Sequence, residues 1–393
     1  MLTDKHTRPR DPHVFEIAIF CALHLEADAM IALFDDIWEP EEQYKKGPGD
    51  TNSYTFGRIH QHPVVLVHMP RMGKASASSV AASLRSSFPY IRVGFLVGIC
   101  GGVPFSGRGK EEIILGDVLI STHIVPSDFG RLYPHTFLRK SSLLDNLGRP
   151  SPEIGGFLSK LQGQAAQTSI KDSMRADLTL SEYPGSSKDK LFEAVYSHKH
   201  GEATTCTVCA QWTHPEDDVC AEALNSSCAD LGCDPSRLVP RARIHAMNMK
   251  GYSASSYCPD IHFGGLASGD QVIKSAFHRD HIAKQEGVIG FEMEAAGLWD
   301  TIPTIVVKGV CDYADSHKGK DWQPYAAATA AACAKVPCWL HRGIRKPPSK
   351  LPVASWHNSS KEDDLRQLSL RRRGIPLYRP GWGSDPERQW RLG

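Results

Sequence analysis

The chain has 393 residues, of which 41% are hydrophobic and 23% are charged. This length accommodates one large domain with a substantial core, or a domain with appendages. Lysine plus arginine (45) nearly balance aspartate plus glutamate (44), so the net charge indicates neither a basic face for nucleic acid nor an acidic tail. We therefore expect a small-molecule substrate and no nucleic-acid partner.

The N-terminus and the cysteines bear on the compartment. Residues 1–13 are polar and lack the apolar stretch of a secretory signal. Nowhere do about 18 apolar residues follow one another, so we expect no membrane-spanning segment and no membrane partner. Eleven cysteines, an odd number in a long chain, are typical of reduced thiols rather than of a disulfide framework. A cytoplasmic or nuclear location is expected.

Strands and helices alternate after residues 1–13, which we expect to be disordered. Apolar runs predict strands, and apolar residues at helical spacing predict helices, in this order: strand Phe15–Cys21, helix Glu26–Leu33, strands Tyr54–Ile59 and Val64–Met69, helix Ala75–Phe88, strands Arg92–Val97 and Gly116–Ser121. This rhythm is typical of a mainly parallel sheet covered on both faces. The expected fold is α/β, a three-layer sandwich with a mainly parallel, twisted central sheet flanked by helices.

Residues 139–240 interrupt this rhythm with charges, prolines and several cysteines, and short helical patterns occur only at Pro152–Leu161 and Lys188–Tyr196. We interpret them as an insertion or lid on the sheet. The rhythm returns at Arg243–Met247, His262–Gly269, Gly290–Trp299 and Thr304–Gly309, and an alanine-rich helix follows at Gln323–Lys335. The predicted catalytic domain therefore spans residues 14–336.

Residues 337–393 become rich in proline, arginine and serine and have no periodic apolar face. Such composition predicts a disordered tail. A basic tail could contact nucleic acid or membrane lipid, but a solvated extension is the simpler interpretation. If the tail bound nucleic acid as the main function, deleting residues 343–393 would abolish that function.

Three glycine-containing turns follow predicted strands, at Gly98–Gly102, Ser268–Asp270 and Gly309–Asp312. In open α/β sheets, ligands bind outside the carboxyl ends of the strands, so these turns are candidate binding segments. Each turn alone is more typical of an ordinary strand-to-helix connection. The sequence has neither a Walker A motif nor GxGxxG, so nothing indicates an NTPase or a dinucleotide-binding protein.

Carboxylates stand at the ends of two apolar segments. Glu292 and Glu294 lie where a strand passes into a helix, and a charge buried there needs a partner. On an extended strand end the two would point the same way and Met293 the opposite way. Sugar hydroxyls would satisfy such a carboxylate; the alternative is a helix-start acid favoured by the helix dipole. Asp312 follows the apolar run TIVVKGV in the same manner.

Several motifs occur in a fixed order: Glu26 after FCAL, GICGGVP followed by GDVLIS, SGDQVI, FEMEAAG, and VKGVCDYADSHKGKDWQPYAAATAAA. Together they resemble the nucleoside phosphorylase/nucleosidase superfamily, which holds purine nucleoside phosphorylases, uridine phosphorylases and methylthioadenosine/adenosylhomocysteine nucleosidases. The similarity spans roughly residues 14–336. It is greatest to a fungal branch whose members often form the N-terminal module of larger proteins with NTPase and repeat domains.

The resemblance implies cleavage of the N-glycosidic bond of a purine nucleoside, without a cofactor, by a homo-oligomer. Glu294 matches the acid that binds the ribose 2′- and 3′-hydroxyls, and Met293 matches the residue that packs on the sugar. Asp312 matches the general acid at purine N7, which makes the base a neutral leaving group. In that role Asp312 must be protonated or share a proton. Five residues are implied to line the base pocket: Val272, Ile273, Phe291, Cys100 and Gly101.

The residues expected to bind phosphate in a phosphorylase are absent. The family's GDPxR-type loop arginine is replaced by Glu26, and its second arginine and its serine by Leu96 and Ile99. A desolvated phosphate needs cationic or N–H partners, and a nearby carboxylate repels it. Glu26 instead matches the residue that activates water in the nucleosidases. We therefore expect hydrolysis.

Two alternatives remain open. A phosphorylase would use phosphate as co-substrate, bound by Arg71, Lys74, Lys308 or an arginine of a partner subunit. A non-catalytic nucleoside-binding sensor is the other alternative, although such a protein need not retain both a base and an acid. Neither the particular nucleoside nor its 5′ substituent follows from the sequence.

The cysteines of the middle region raise the question of zinc. Cys206 and Cys209 have CxxC spacing, which supplies two of the four N or S ligands of a structural zinc. His214, Cys220, Cys228 and Cys233 follow without that spacing, and the last two are expected on one face of a helix. Buried free cysteines are common. The sequence favours no metal, with zinc on Cys206, Cys209, Cys228 and Cys233 as the alternative.

Overall fold

The apolar run near the N-terminus forms strand β1 (Ile17–Cys21), in which all five residues are buried. Successive side chains of a strand point to opposite faces. Ala18 and Phe20 accordingly join one hydrophobic core, whereas Ile17, Ile19 and Cys21 join a second. The sheet is thus covered on both faces, which confirms the predicted three-layer α/β sandwich.

The computed structural model describes residues 8–38, 44–106, 111–134, 136–142, 144–201, 206–215, 217–250 and 257–340. These residues belong to one unit that comprises residues 1–343. The tail predicted to be disordered lies outside the described residues from position 341 onward. Within the N-terminal segment predicted to be disordered, residues 8–13 are described, and a one-turn 3-10 helix spans Pro12–Val14.

After β1, the described residues form strands β2 (Asp36–Trp38), β3 (Ser53–Ile59), β4 (His62–His68), β5 (Val93–Gly102), β6 (Phe105–Ser106), β7 (Glu111–Glu112), β8 (Val118–Pro126), β9 (Gly130–Tyr133), β10 (Thr136–Arg139), β11 (Ile261–Ser268), β12 (Val288–Glu292) and β13 (Thr304–Asp312). Nine strands of the described residues, β1 among them, form one mixed sheet, in the order β12-β11-β8-β13-β5-β1-β4-β3-β2. Strand β1 pairs in parallel with β4 and β5, and β13 pairs in parallel with β5. The carboxyl ends of these central strands therefore meet at one edge.

Helices cover both faces of the sheet. They are α1 (His24–Ile31), α2 (Lys74–Ser87), α3 (Pro152–Leu161), α4 (Gln164–Asp177), α5 (Thr207–Ala210), α6 (Ala221–Asn225), α7 (Ala242–Lys250), α8 (Ala276–Glu286), α9 (Ala295–Leu298) and α10 (Gln323–Leu340). Helices α2 and α9 contribute to one core, and α1, α3, α4 and α10 contribute to the other. None of the helices in the described residues has the length and apolar character that a bilayer crossing requires.

Helix α10 packs closely on strand β13. A Cβ added at Gly309 would lie 1.9 Å from the carbonyl oxygen of Ala326, so this strand position has room only for glycine. Alanines of the helix, among them Ala330 and Ala331, are completely buried. Small residues on both elements thus hold the helix against the strand that ends at Asp312.

Two local predictions are wrong, and part of the predicted insertion contributes to the main core. Strand β5 continues to Gly102, where a turn was expected from Gly98 onward, because its end also pairs with β12. Lys188–Tyr196 is not a helix; Phe192 forms a β-bridge with Leu238 instead. Helices α3 and α4 lie within the predicted insertion, yet their buried faces belong to the main core.

Candidate active site

A cleft of about 300 Å³ opens at the carboxyl ends of the central strands. The residues that line it lie at or just after the carboxyl ends of β1, β4, β5, β11, β12 and β13, as expected for a ligand site of an open α/β sheet. It brings together every residue that the sequence singled out for the site: Glu26, Cys100, Gly101, Val272, Ile273, Phe291, Met293, Glu294 and Asp312. These residues come from five separate stretches of the chain.

Glu26 lies in the first turn of α1 and is 3% exposed. Its Oε2 accepts hydrogen bonds from the backbone N–H groups of Ala22 and Leu23, each at 2.9 Å. Its Oε1 accepts a hydrogen bond from the N–H of Ile99 at 2.8 Å. A Cβ at Gly98 would lie 2.2 Å from this Oε1, so glycine at that position makes room for the carboxylate.

Burial raises the pKa of Glu26, although the charge of Lys308 and the N–H donors act in the opposite direction. A carboxylate whose pKa is raised is a better proton acceptor than an ordinary one. Because a carboxylate oxygen has two lone pairs, Oε1 can accept a second hydrogen bond from a molecule in the cleft. Glu26 thus has the chemistry of a positioned general base.

A buried lysine organises the acids on the opposite wall of the cleft. The Nζ of Lys308 lies 3.1 Å from Oε2 of Glu294 and 4.0 Å from Oε2 of Glu292, and Lys308 is 1% exposed. Burial alone would lower the pKa of Lys308, but the charges of Glu294, Glu26 and Glu292 outweigh it and raise this pKa. The lysine therefore remains charged and keeps Glu294 oriented.

Glu292 and Glu294 both approach the ammonium of Lys308, but Glu294 does not have the extended conformation that the sequence predicted. The backbone of Glu294 is helical (φ −118°, ψ −33°), and this residue occupies the N-cap position of α9 without a capping hydrogen bond to its own side chain. Oε2 of Glu292 accepts hydrogen bonds at 2.9 Å from the N–H groups of Glu294 and Ala295. Glu292 thus stabilises the strand-to-helix turn, and Glu294 presents its carboxylate to the cleft.

Asp312 is the last residue of β13 and is 7% exposed. Its Oδ1 accepts a hydrogen bond from the N–H of Ala314 at 2.8 Å. Its Oδ2 lies 3.3 Å from the Nζ of Lys318. The carboxylate therefore has an ammonium group on one side and the cleft on the other, and it can contact a molecule bound in the cleft.

The apolar part of the cleft lies between the acids. Phe291 of β12 pairs with Gly101 of β5, which brings the aromatic ring beside a backbone without a side chain. Ile273 packs on the small core that contains Phe291 and Ala314. Val272 is 53% exposed and lies at the mouth. A flat apolar ring fits between such surfaces.

Of the cations proposed for phosphate, only Lys308 approaches the acids. Neither Arg71 nor Lys74 is among the residues that line the cleft in the described part of the chain, and no arginine is. The Nζ of Lys74 pairs instead with Asp128. The lysines that do line it are Lys274, Lys318 and Lys320, and Lys318 contacts Asp312.

The contacts of Lys308 with Glu294 and of Lys318 with Asp312 were not predicted from the sequence. A charged residue inside the apolar run TIVVKGV was the available signal for Lys308, because a lysine in a buried central strand needs anionic partners. Lys318 follows Asp312 in an irregular segment, where spacing predicts no direction for the side chain. That contact could only be seen in the structure.

The aspartate of the GDVLIS motif is structural. Asp117 is completely buried and accepts hydrogen bonds from Arg243 and from the N–H of Ile114, and its Oδ2 lies 3.0 Å from Nε2 of His262. Burial alone would raise the pKa of Asp117, but these partners lower it to about 2. Asp117 thus anchors the start of β8 and does not line the cleft.

Two groups of cysteine and histidine side chains lie outside the cleft. One contains His200, Cys206, Cys209 and Cys220, and the other contains His198, Cys228, Cys233 and His317. In each group the four N or S atoms lie within 4.8 Å of one another. The four cysteines considered together in the sequence are therefore divided between two groups, and Cys228 and Cys233 lie in a turn rather than on a helix.

Residues 16–159 match the family described as the phosphorylase superfamily. Over that stretch, this match confirms the resemblance seen in the sequence.

One relative in sequence is a nucleotide-binding leucine-rich repeat (NLR)-like protein of Hyaloscypha variabilis, 32% identical over 327 residues. The alignment covers 83% of this chain and 29% of that protein, so the chain spans less than a third of its relative's length.

Solved structures with a similar arrangement of the chain come from Helicobacter pylori. One is a mutant 5′-methylthioadenosine/S-adenosylhomocysteine nucleosidase with 5′-methylthioadenosine in the active site, 14% identical, with a TM-score of 0.47 and coverage of 83% of this chain and 99% of that one. Another is futalosine hydrolase, 14% identical, with a TM-score of 0.46 and coverage of 83% and 98%.

Proposed function

We propose that this domain hydrolyses the N-glycosidic bond of a purine nucleoside. The observation that carries the proposal is the convergence of three buried carboxylates, those of Glu26, Glu294 and Asp312, on one cleft. Each has different neighbours: backbone N–H groups, a buried lysine and a partly exposed lysine. Different surroundings give like groups different chemical roles.

Glu294 binds the ribose. Lys308 and the N–H of Gly73, which is 3.4 Å from Oε1, hold its two oxygens, and each oxygen has a lone pair left for one hydroxyl. The 2′- and 3′-hydroxyls of a ribose are adjacent donors that suit such a carboxylate. Met293 lines the same wall and packs on the sugar.

Asp312 activates the leaving group. The purine lies beside Phe291 with its N7 toward Asp312, and Lys318 supplies the neighbouring proton. As the C1′–N9 bond breaks, its electron pair moves into the base, and N7 takes a proton from Asp312. A neutral purine leaves instead of an anion, which lowers the barrier.

Glu26 activates water on the opposite side of the sugar. The water oxygen bonds to C1′ of the oxocarbenium-like sugar, and its proton passes to Oε1 of Glu26. The raised pKa of this carboxylate suits the transfer near neutral pH. Purine and free ribose are the products, and no cofactor takes part.

Phosphorolysis is the competing reaction. A phosphate dianion in place of the water would face the charge of Glu26, and the backbone N–H groups of Ala22, Leu23 and Ile99 already donate to that carboxylate. Within the described residues, the ammonium of Lys308 forms an ion pair with Glu294, so it is not free to bind phosphate. Water, which is neutral and donates a proton, suits these surroundings better than phosphate does.

Product analysis tests the proposal. Adenosine, guanosine, inosine, uridine and methylthioadenosine are each incubated with the protein, with and without phosphate. We expect free purine and free ribose from at least one purine nucleoside, at a rate that phosphate does not change. Ribose 1-phosphate formed only with phosphate would contradict hydrolysis. Glu26→Gln should lower turnover to a small residual rate, whereas Asp28→Asn, an exposed position of the same helix, should not.

A nucleoside-binding module without catalysis is the second candidate. It is favoured by the similarity to an NLR-like protein of which this chain spans only 29%, because a sensing domain is a natural part of a larger regulated protein. Such a module would bind purine nucleosides in the same cleft and release no base. Calorimetric binding without any product, for every nucleoside tested, would favour this candidate over the enzyme.

A further inference from the structure

Residues 197–238, called here the cysteine-rich insert, have very little apolar core. In its described residues, the α-helices are α5 and α6, of four and five residues, and a 3-10 turn spans Pro235–Arg237. Among its described residues, the hydrophobic cluster of buried side chains consists of Cys209, Ala223 and Leu231. Burial of so few side chains does not offset the entropy of ordering a segment of this length. Another kind of interaction must hold it together.

The first group of ligating side chains, called cluster 1, consists of His200, Cys206, Cys209 and Cys220. The Nδ1 of His200 lies 3.6 Å from the sulfur of Cys209 and 3.4 Å from that of Cys220. The other ring nitrogen, Nε2, lies 3.7 Å from Glu222, which orients the ring. The N–H of Ala223 donates to the sulfur of Cys220 at 3.4 Å, a contact that favours a thiolate.

The second group, called cluster 2, consists of His198, Cys228, Cys233 and His317. Here Nδ1 of His317 lies 3.7 Å from each of the two sulfurs. Its Nε2 is 2.9 Å from the carbonyl oxygen of Tyr196, and the ring stacks against both Phe192 and Tyr196. Donation of one ring N–H to a backbone carbonyl is the usual arrangement of a metal-binding histidine.

The distances agree with tetrahedral zinc. Zinc binds sulfur at about 2.3 Å and imidazole nitrogen at about 2.1 Å, which places neighbouring S and N ligands about 3.6 Å apart in a tetrahedron. Four of the S···N distances within the two clusters are 3.4, 3.6, 3.7 and 3.7 Å. Both ligand sets, three cysteines with one histidine and two cysteines with two histidines, are those of structural zinc.

Hydrogen bonds alone do not account for cluster 2. Because Nε2 of His317 donates to Tyr196, its Nδ1 has a single lone pair, yet two thiols are equally close to it. His198 is 94% buried, since its exposure is 6%, and its Nε2 has no hydrogen-bond partner among the described residues. A buried polar atom left without a partner is costly. A cation between these four side chains satisfies them all.

We propose that clusters 1 and 2 are two structural zinc sites that fold the cysteine-rich insert. Zinc binding displaces the thiol protons, three in cluster 1 and two in cluster 2. No redox change is involved. Zinc ligation supplies the stability that the small apolar core of the insert lacks.

One ligand of cluster 2 lies in a chain segment that also contributes to the active-site cleft. His317 lies 89 positions after Cys228, in the segment that connects Asp312 to α10. The next residue is Lys318, whose ammonium contacts Asp312. Zinc in cluster 2 therefore positions the Lys318 segment, a role that rests on the proposed function. Cluster 1 has no ligand from that segment.

Metal content of the full chain, purified without chelators, is the test. We expect two zinc ions per chain by elemental analysis. Cys209→Ser and Cys228→Ser should each retain one zinc, and Cys258→Ser, a cysteine outside both clusters, should retain two. If turnover is found, it should fall more in Cys228→Ser than in Cys209→Ser, but the zinc count does not depend on any activity.

Cobalt substitution keeps the proposal testable if the variants fail to fold. The native chain refolded with Co²⁺ should show the absorption of tetrahedral cobalt thiolate, saturating at two ions per chain. A native chain that takes up neither zinc nor cobalt would overturn the proposal. So would a chain in which mass measurement and thiol titration find disulfides among the five cysteines of the clusters.

Discussion

The cleft and the cysteine-rich insert are both built from side chains that are distant in sequence, yet they are held in different ways. The acids of the cleft stand at the ends of central strands, whose positions are fixed by two cores. The ligating residues of the insert stand in turns and short helices around three buried apolar side chains. Rigid strands place the chemistry of the cleft, whereas in the insert the ligands themselves must create the structure.

The largest effect should come from the leaving-group acid. Asp312→Asn cannot give a proton to N7, so turnover of a purine nucleoside should fall by about 10²–10⁴-fold. Steady-state kinetics measures this loss. Asp300→Asn, an exposed position just before β13, is the matched control and should keep full turnover. Equal rates for Asp312→Asn and the native chain would remove Asp312 from the proposed mechanism.

Loss of the buried lysine should destabilise the strand framework. In Lys308→Met the carboxylates of Glu26, Glu292 and Glu294 lose their cation, and removal of one partner of a buried ion pair costs about 3–5 kcal/mol. Denaturant unfolding measures the free energy. Lys171→Met, which breaks a partly exposed pair with Asp260, should cost at most about 1 kcal/mol. A similar cost for both variants would show that the central cluster is not held by Lys308.

Zinc removal should destabilise the cysteine-rich insert and leave the central sheet intact. With a chelator, backbone amides of the cysteine-rich insert should lose protection from hydrogen exchange, because zinc ligation is what orders them. Amides of β1, β5 and β13 should retain their protection, since their cores do not include the clusters. Equal loss of protection in the sheet and in the insert would contradict this division.

The smallest effect is a shift in pH dependence. Burial raises the pKa of Glu26 above the ordinary glutamate value of about 4.3, and the base acts only when deprotonated. The value of kcat/KM should therefore fall as pH falls through this raised pKa, well before ordinary carboxylates are protonated. Asp28→Asn should show the same acid limb. An unchanged acid limb in the residual activity of Glu26→Gln would assign it to another group.

The sequence predicted the cleft well because parallel strands of one sheet end at a common edge. Glu26, Glu294 and Asp312 each follow an apolar strand, so their meeting could be expected from the order of strands along the chain. The predicted extended conformation of Glu294 was wrong, since the strand already ends at Glu292. The partners of Lys308 were not predicted, because spacing along one strand says nothing about which acids of other strands its side chain reaches.

The insert was predicted poorly for the opposite reason. Cys228 and Cys233 were expected on one face of a helix but lie at the ends of a turn, and Lys188–Tyr196 has a helical pattern but pairs through Phe192 with Leu238. His198 and His200 are two residues apart and belong to different clusters. Without a periodic apolar face, spacing does not determine which side chains converge.

Isotope labelling of the product tests the central claim most directly. A purine nucleoside is cleaved in water enriched in oxygen-18, with phosphate present, and the sugar product is analysed by mass spectrometry against a control in which free ribose exchanges with the same water. We expect ribose that carries label at C1 above this exchange from the earliest times, and far less product with Glu26→Gln. Ribose 1-phosphate without label in the C1–O bond would contradict it.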